Sequence, residues 1–176
     1  LLGERLGRIA NTQLTTGDGT GDPNGIVTAS TLGKTAAATA AVTPDEIIDL
    51  VHSVDPAYRQ SPKVRFMFND LTLAAIRKLK DGDGNYIWDP GDGSGGSSLL
   101  GYPITEIEDM PDVATDAAAI AFGDFARGYL IVDRAGVRVL RDPYSAKPYV
   151  LFYVTKRVGG GVQNFDAIKA LKFGDS

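Results

Sequence analysis

Between Ala121 and Phe173 large apolar residues alternate with charges and the turns between them are short. Four extended segments are expected there: Gly128–Val132, Val137–Leu140, Tyr149–Val158 and a run ending at Phe173. The same stretch holds no nucleophile–base pair, no metal-ligating cluster and no phosphate loop. A well-specified chain of strands without a chemical centre points to a protein that works through its shape and its contacts.

The chain has 176 residues, enough for one medium domain or one domain with part of another. Hydrophobic residues make up 43%, which predicts a packed core rather than disorder. The balance of 18 basic against 22 acidic residues argues against nucleic-acid binding by charge alone. No cysteine is present, so thiolate chemistry and disulfides are excluded. No apolar run approaches the roughly 20 residues of a membrane span, and no signal peptide is expected. Residue 1 is Leu rather than Met, which leads us to expect a processed or truncated product.

Leu2–Leu14 has helical spacing and stops at Thr15-Thr16-Gly17, with Asp18–Gly25 as loop. Val27–Val42 is expected as an extended, weakly patterned connection. Thr43-Pro44-Asp45-Glu46 combines an N-cap, Pro at the first helical position and Glu at N3, a capping box. The helix it opens has an apolar stripe of Ile47, Val51 and Val54 and ends at Asp55-Pro56. Val64–Phe68 alternates as a strand. Asn69 then caps a helix over Asp70–Lys80, with Leu73, Ile76 and Leu79 inward and Asp81-Gly82 as its stop. Asp89–Ser98 is expected as a surface loop. Leu99–Ile104 is expected to be ordered, Glu106–Asp112 to be an acidic loop, and Ala114–Phe122 to end in a strand.

Each candidate chemical site has a plainer explanation. Asp81, Asp83 and Asn85 match the first half of a calcium loop, but Tyr86 stands where Gly is needed and Asp92 where Glu is needed. Gly17–Gly21 follows a helix, whereas a phosphate loop follows a strand, opens a helix and carries a Lys. His52, the sole histidine, has Asp45 and Asp49 near it on the helical net and no nucleophile facing it. Glu106, Glu108 and Asp109 lack the setting of a glycosidase carboxylate pair. Arg138, Arg141, Lys156 and Arg157 form a basic cluster near Asp133, Asp142 and Asp166. It reads either as a solvated strand face or as an ionic contact between subunits.

The order of several stretches resembles the major capsid proteins of tailed double-stranded-DNA bacteriophages. These are Leu14-Thr15-Thr16-Gly17-Asp18-Gly19-Thr20-Gly21 with Pro23-Asn24-Gly25-Ile26, Phe68-Asn69-Asp70 with Leu79-Lys80-Asp81, Gly84-Asn85-Tyr86-Ile87, Leu99–Ile104, and Phe122-Gly123-Asp124 with the strands to Phe173. The resemblance implies an α+β fold with an axial domain, a mixed sheet flanked by helices, plus the strand part of a peripheral domain. Residues 1–30 would be the end of a spine helix and its loop, and residues 31–135 the axial domain. Residues 136–160 would be peripheral strands, and residues 161–176 a return strand to the axial domain.

The resemblance further implies a structural, non-enzymatic subunit of an icosahedral capsid without cofactors. Its partners would be copies of itself in pentamers and hexamers, with packaged DNA held without sequence-specific contact and neither membrane nor small-molecule substrate. It would reside in the virion after assembly in the bacterial cytoplasm. Interface residues would include Arg138, Arg141, Lys156, Arg157, Asp89 and Asp92. The family's N-terminal arm, extended hairpin and most of the spine helix have no counterpart here, so a monomer or small ring is expected rather than a shell. Some members form a Lys–Asn isopeptide cross-link. Pro148 falls near the Asn position and the Lys-bearing segment is missing, so none is expected. An encapsulin-type compartment shares the fold and is the nearest rival, followed by a calcium-dependent binding or adhesion module, and then an enzyme.

Overall fold

A computed structural model describes residues 2–39, 41–80, 82–86 and 98–174. Helix α1 (Leu2–Thr16) runs into a loop in which Gly19 and Gly21 take φ of 80° and 88°, a left-handed turn that glycine adopts without Cβ strain. The extended connection expected over Val27–Val42 is instead a short helix and a strand, α2 (Ile26–Ala29) and β1 (Thr31–Thr35). β1 lies at a sheet edge, where burial gives it no strict alternation to read.

Helix α3 (Pro44–Ser53) starts with the expected capping box. The Thr43 side chain accepts from Glu46 N, and the Glu46 carboxylate accepts from Thr43 N at 2.8 Å. Asp55 caps a further turn, α4 (Pro56–Arg59). Strand β2 (Val64–Phe68) leads to Asn69, whose side chain accepts from Thr72 N at 2.8 Å and caps α5 (Asp70–Arg77). This helix stops three residues before the expected Lys80. There Leu79 N turns back to Ile76 O, while Lys80 bridges to Tyr86 and lies over its ring. Strands β3 (Ser98–Leu99), β4 (Tyr102–Glu106) and β5 (Ile120–Asp124) follow, then the turn α6 (Phe125–Gly128).

The strand segments Gly128–Val132 and Val137–Leu140 are one continuous strand, β6 (Tyr129–Asp142). Asp133-Arg134-Ala135-Gly136 resembles a turn in sequence but folds as bulges. Asp133 pairs with Val158, Ala135 with Arg157 and Arg138 with Thr155, so β6 twice spends an extra residue against its partner. That partner is β7 (Leu151–Val162), and β8 (Ile168–Lys172) closes the fold.

Among the described residues, six strands form a mixed sheet in the order β1-β8-β5-β2-β4-β3, and β6 with β7 forms a separate two-stranded ribbon. β5 and β8 are antiparallel neighbours, although the ribbon lies between them in the chain. One face of the sheet buries Phe66, Phe122 and Leu171 under Ile47, Leu50 and Val51 of α3 and Leu73 and Ile76 of α5. Phe66 and Phe122 have ring centroids 4.5 Å apart, and Tyr102 meets Phe122 edge-on at 5.0 Å. On the other face Met67, Met110 and Ala121 pack with Ile26 and Val27 of α2. Both faces of β2 are therefore covered. Neither face of the ribbon is covered to that degree.

Candidate functional site

The ribbon is fastened at its root. Tyr129, almost fully buried, donates its hydroxyl to the Asn24 carbonyl at 2.8 Å. Asn24 N donates to Gly160 O at 2.9 Å. Burial raises the Tyr129 phenol above its ordinary pKa. A Cβ on Gly160 would stand 2.6 Å from the Tyr129 hydroxyl and 2.8 Å from a Leu14 methyl, so only glycine lets α1, β6 and β7 meet here. The run Gly159-Gly160-Gly161 inside a strand is the sequence signal for this close approach.

Beyond the root the ribbon is largely open. Leu140 is 65% exposed, Val139 62%, Phe152 57% and Tyr153 51%. Cross-strand partners share a face. Arg138 with Thr155 and Leu140 with Tyr153 lie on one face, and Val139 with Val154 and Arg141 with Phe152 on the other. Phe152 and Val154 form one wall of a groove whose other wall is Leu2, Leu6 and Ile9 of α1, edged by Arg5 and Arg8.

The bulges gather cations. Arg134, Arg138, Lys156 and Arg157 surround an open depression of about 350 Å³ with Ala135, Gly136 and Thr155. Lys156 is 3.2 Å from the Asp133 carboxylate. The structure thus brings together three of the four basic residues singled out in the sequence and adds Arg134, hidden there in the apparent turn. Arg141 stands apart, on the opposite face. Asp142 caps the turn beyond β6, and the Ser145 hydroxyl and Tyr144 N–H that it accepts lower its pKa. Asp166 pairs with Lys169 rather than with the cluster. Asp89 and Asp92 lie outside the described residues, as does Asp81 of the calcium-like segment. Among the described residues no group of three or more His, Asp or Glu gathers to hold a metal.

His52 Nδ1 lies 3.0 Å from Arg59 Nη1. Arginine only donates, so this nitrogen is placed to accept. The Ser53 hydroxyl donates to Leu50 O instead of facing the imidazole. Asp109 accepts from Thr12 at 2.6 Å and from Asn11, while Asp112 accepts from Asn69, so half of the acidic loop is engaged within the chain. No assembled acid–base pair comes from these groups.

No curated protein sequence matches the chain. The capsid of an empty GTA particle matches with TM-score 0.88 and 41% identity over 98% of this chain. This chain spans 64% of that capsid chain, less than two thirds. A chain from Gordonia phage Cozz matches with TM-score 0.63 and 13% identity, covering 97% of this chain and 60% of that one. The SrpI encapsulin complex from Synechococcus elongatus PCC 7942 matches with TM-score 0.64 and 16% identity, covering 96% and 61%. These last two share the fold alone. The model of the phage capsid family matches residues 1–173. The α+β fold, its mixed sheet flanked by helices, and this match over nearly the whole sequence place the chain in the phage capsid family.

Proposed function

We propose that this chain is a structural subunit of an icosahedral phage-type capsid and catalyses no reaction. Copies associate into pentamers and hexamers that enclose DNA without reading its sequence, after assembly in the bacterial cytoplasm. Residues 31–135 and 161–176 form the axial part, and residues 1–30 and 136–160 the peripheral part. Arg138, Arg141, Lys156 and Arg157 take part in contacts between subunits, and so do Asp89 and Asp92.

The observation that carries this reading is the ribbon. Two strands of 14 and 12 residues leave apolar side chains outward on both faces. A lone two-stranded ribbon is marginal in water, and exposed apolar patches of this kind mark association surfaces. Repeating such a surface lets nearly equivalent contacts close into rings and shells, each weak but many together. Electron microscopy of the purified protein tests it. A monomer or small ring is expected from these 176 residues alone, and hollow closed particles carrying DNA once the family's N-terminal arm, hairpin and spine helix are supplied. Particles that hold a protein cargo and no DNA would favour an encapsulin-type compartment, and a subunit that stays monomeric at high concentration even with the family's N-terminal arm, hairpin and spine helix supplied would sink both.

A further inference from the structure

Four cations line the open depression at the β6–β7 bulges, a concentration of like charge that favours the entry of an anion. Among the described residues Arg134, Arg138 and Arg157 have no carboxylate within 4 Å, and only Lys156 is paired. The ribbon from Tyr129 to Val162 carries six of the chain's 18 cations and two of its 22 acids. The rest of the chain is correspondingly acidic. Its densest stretch is Glu106–Asp112, with four acids in seven residues and no cation between them. Asp109 and Asp112 are engaged by Thr12 and Asn69. Glu106, at the end of β4, and Glu108 are exposed and, among the described residues, make no ion pair.

We infer that this depression receives the Glu106 and Glu108 carboxylates of a second copy of the chain. The inference rests on the shell-subunit reading and names the contact. Guanidinium groups match carboxylates in a two-pronged geometry that ammonium groups do not, and three of the four cations are arginines. The two patches are different surfaces of one molecule, so the contact is heterologous, the kind that propagates head to tail and closes into rings. Nucleic acid fits the depression less well. The cations form a compact group with Asp133 against Lys156 rather than a track along a phosphate backbone, and the chain is net acidic.

Two measurements on the assembled protein test this. In particles mixed from isotopically light and heavy subunits, zero-length carbodiimide coupling is expected to join Lys156 of one copy to Glu106 or Glu108 of another. Charge reversal by R138E with R157E, or by E106K with E108K, is expected to lower particle yield at least tenfold, and combining all four is expected to restore it. Circular dichroism melts check that each variant folds. If a variant misfolds, the coupling result alone decides. Shells that form normally from the reversed variants, or absence of the Lys156 cross-link, overturn the inference and leave the shell reading standing. A salt-sensitive DNA mobility shift lost in R138E/R157E while assembly persists also overturns it, assigning the depression to phosphate. Parent protein that never associates even with the family's N-terminal arm, hairpin and spine helix supplied defeats the shell reading itself.

Discussion

The Tyr129 hydroxyl donates to the Asn24 carbonyl at 2.8 Å, joining the first residue of β6 to the loop that follows α1. Asn24 is held from its other side by Gly160, so one loop residue bridges both strands of the ribbon at their base. Tyr129→Phe keeps the ring packing and leaves that carbonyl short of a donor. We expect a loss of about 1–2 kcal/mol in urea denaturation. Faster hydrogen exchange at the Asn24 and Gly160 amides should accompany it.

Gly160→Ala tests the same junction sterically. The added methyl meets Tyr129 and Leu14 at 2.6 and 2.8 Å, a cost of about 1–3 kcal/mol as the neighbours shift. At Gly159 the nearest atom is the Val132 carbonyl oxygen at 4.0 Å, and Gly159→Ala should stay within about 0.5 kcal/mol of the parent. Equal melting of the two variants would remove the close-approach explanation.

Glu46 carries a pH dependence. Burial alone would raise its carboxyl pKa. The N–H groups of Ala37 and Thr43, the Thr43 side chain and the nearby Lys34 ammonium outweigh that and hold it below the ordinary value. A carboxyl depressed in the folded state adds stability that is fully present above its unfolded pKa of about 4.3 and is lost as pH falls through its lower folded value. Glu46→Gln should cost about 1–3 kcal/mol at pH 7. It should also flatten the acid limb of the stability–pH curve, read by chemical denaturation from pH 7 down to 3.

Leu140→Ser separates folding from association. The side chain is 65% exposed, so its replacement should cost about 1 kcal/mol in the isolated chain. If the open ribbon face is an assembly surface, particle yield should fall several-fold while the melting curve moves little. Sedimentation velocity beside a thermal melt measures both, and unaltered assembly would argue against that face.

What the sequence made legible was local. The α3 cap was readable because Thr43, Pro44 and Glu46 act on one another within a single turn, and the Val64–Phe68 strand because Val64, Phe66 and Phe68 recur at period two on the face buried under α3 and α5. β1 was not readable, since what fixes it is its parallel partner β8, contributed by the other end of the chain. The basic cluster was visible as charge around Arg138, Lys156 and Arg157. Arg134 was not, because Asp133-Arg134-Ala135-Gly136 has turn composition, and only the register against β7 turns those residues into bulges. Tyr129 with Asn24 joins positions remote in sequence, and no periodicity announces such a pair.

The ribbon leaves the sheet after β5 and rejoins it as β8, and these two strands are already adjacent. The arm is therefore a side branch whose length is decoupled from the body. Residues added in cross-strand pairs beyond the bulges would extend its reach by about 3.4 Å per residue of strand without altering one contact under α3 and α5. A lineage could in this way retune spacing between neighbours while keeping the same core.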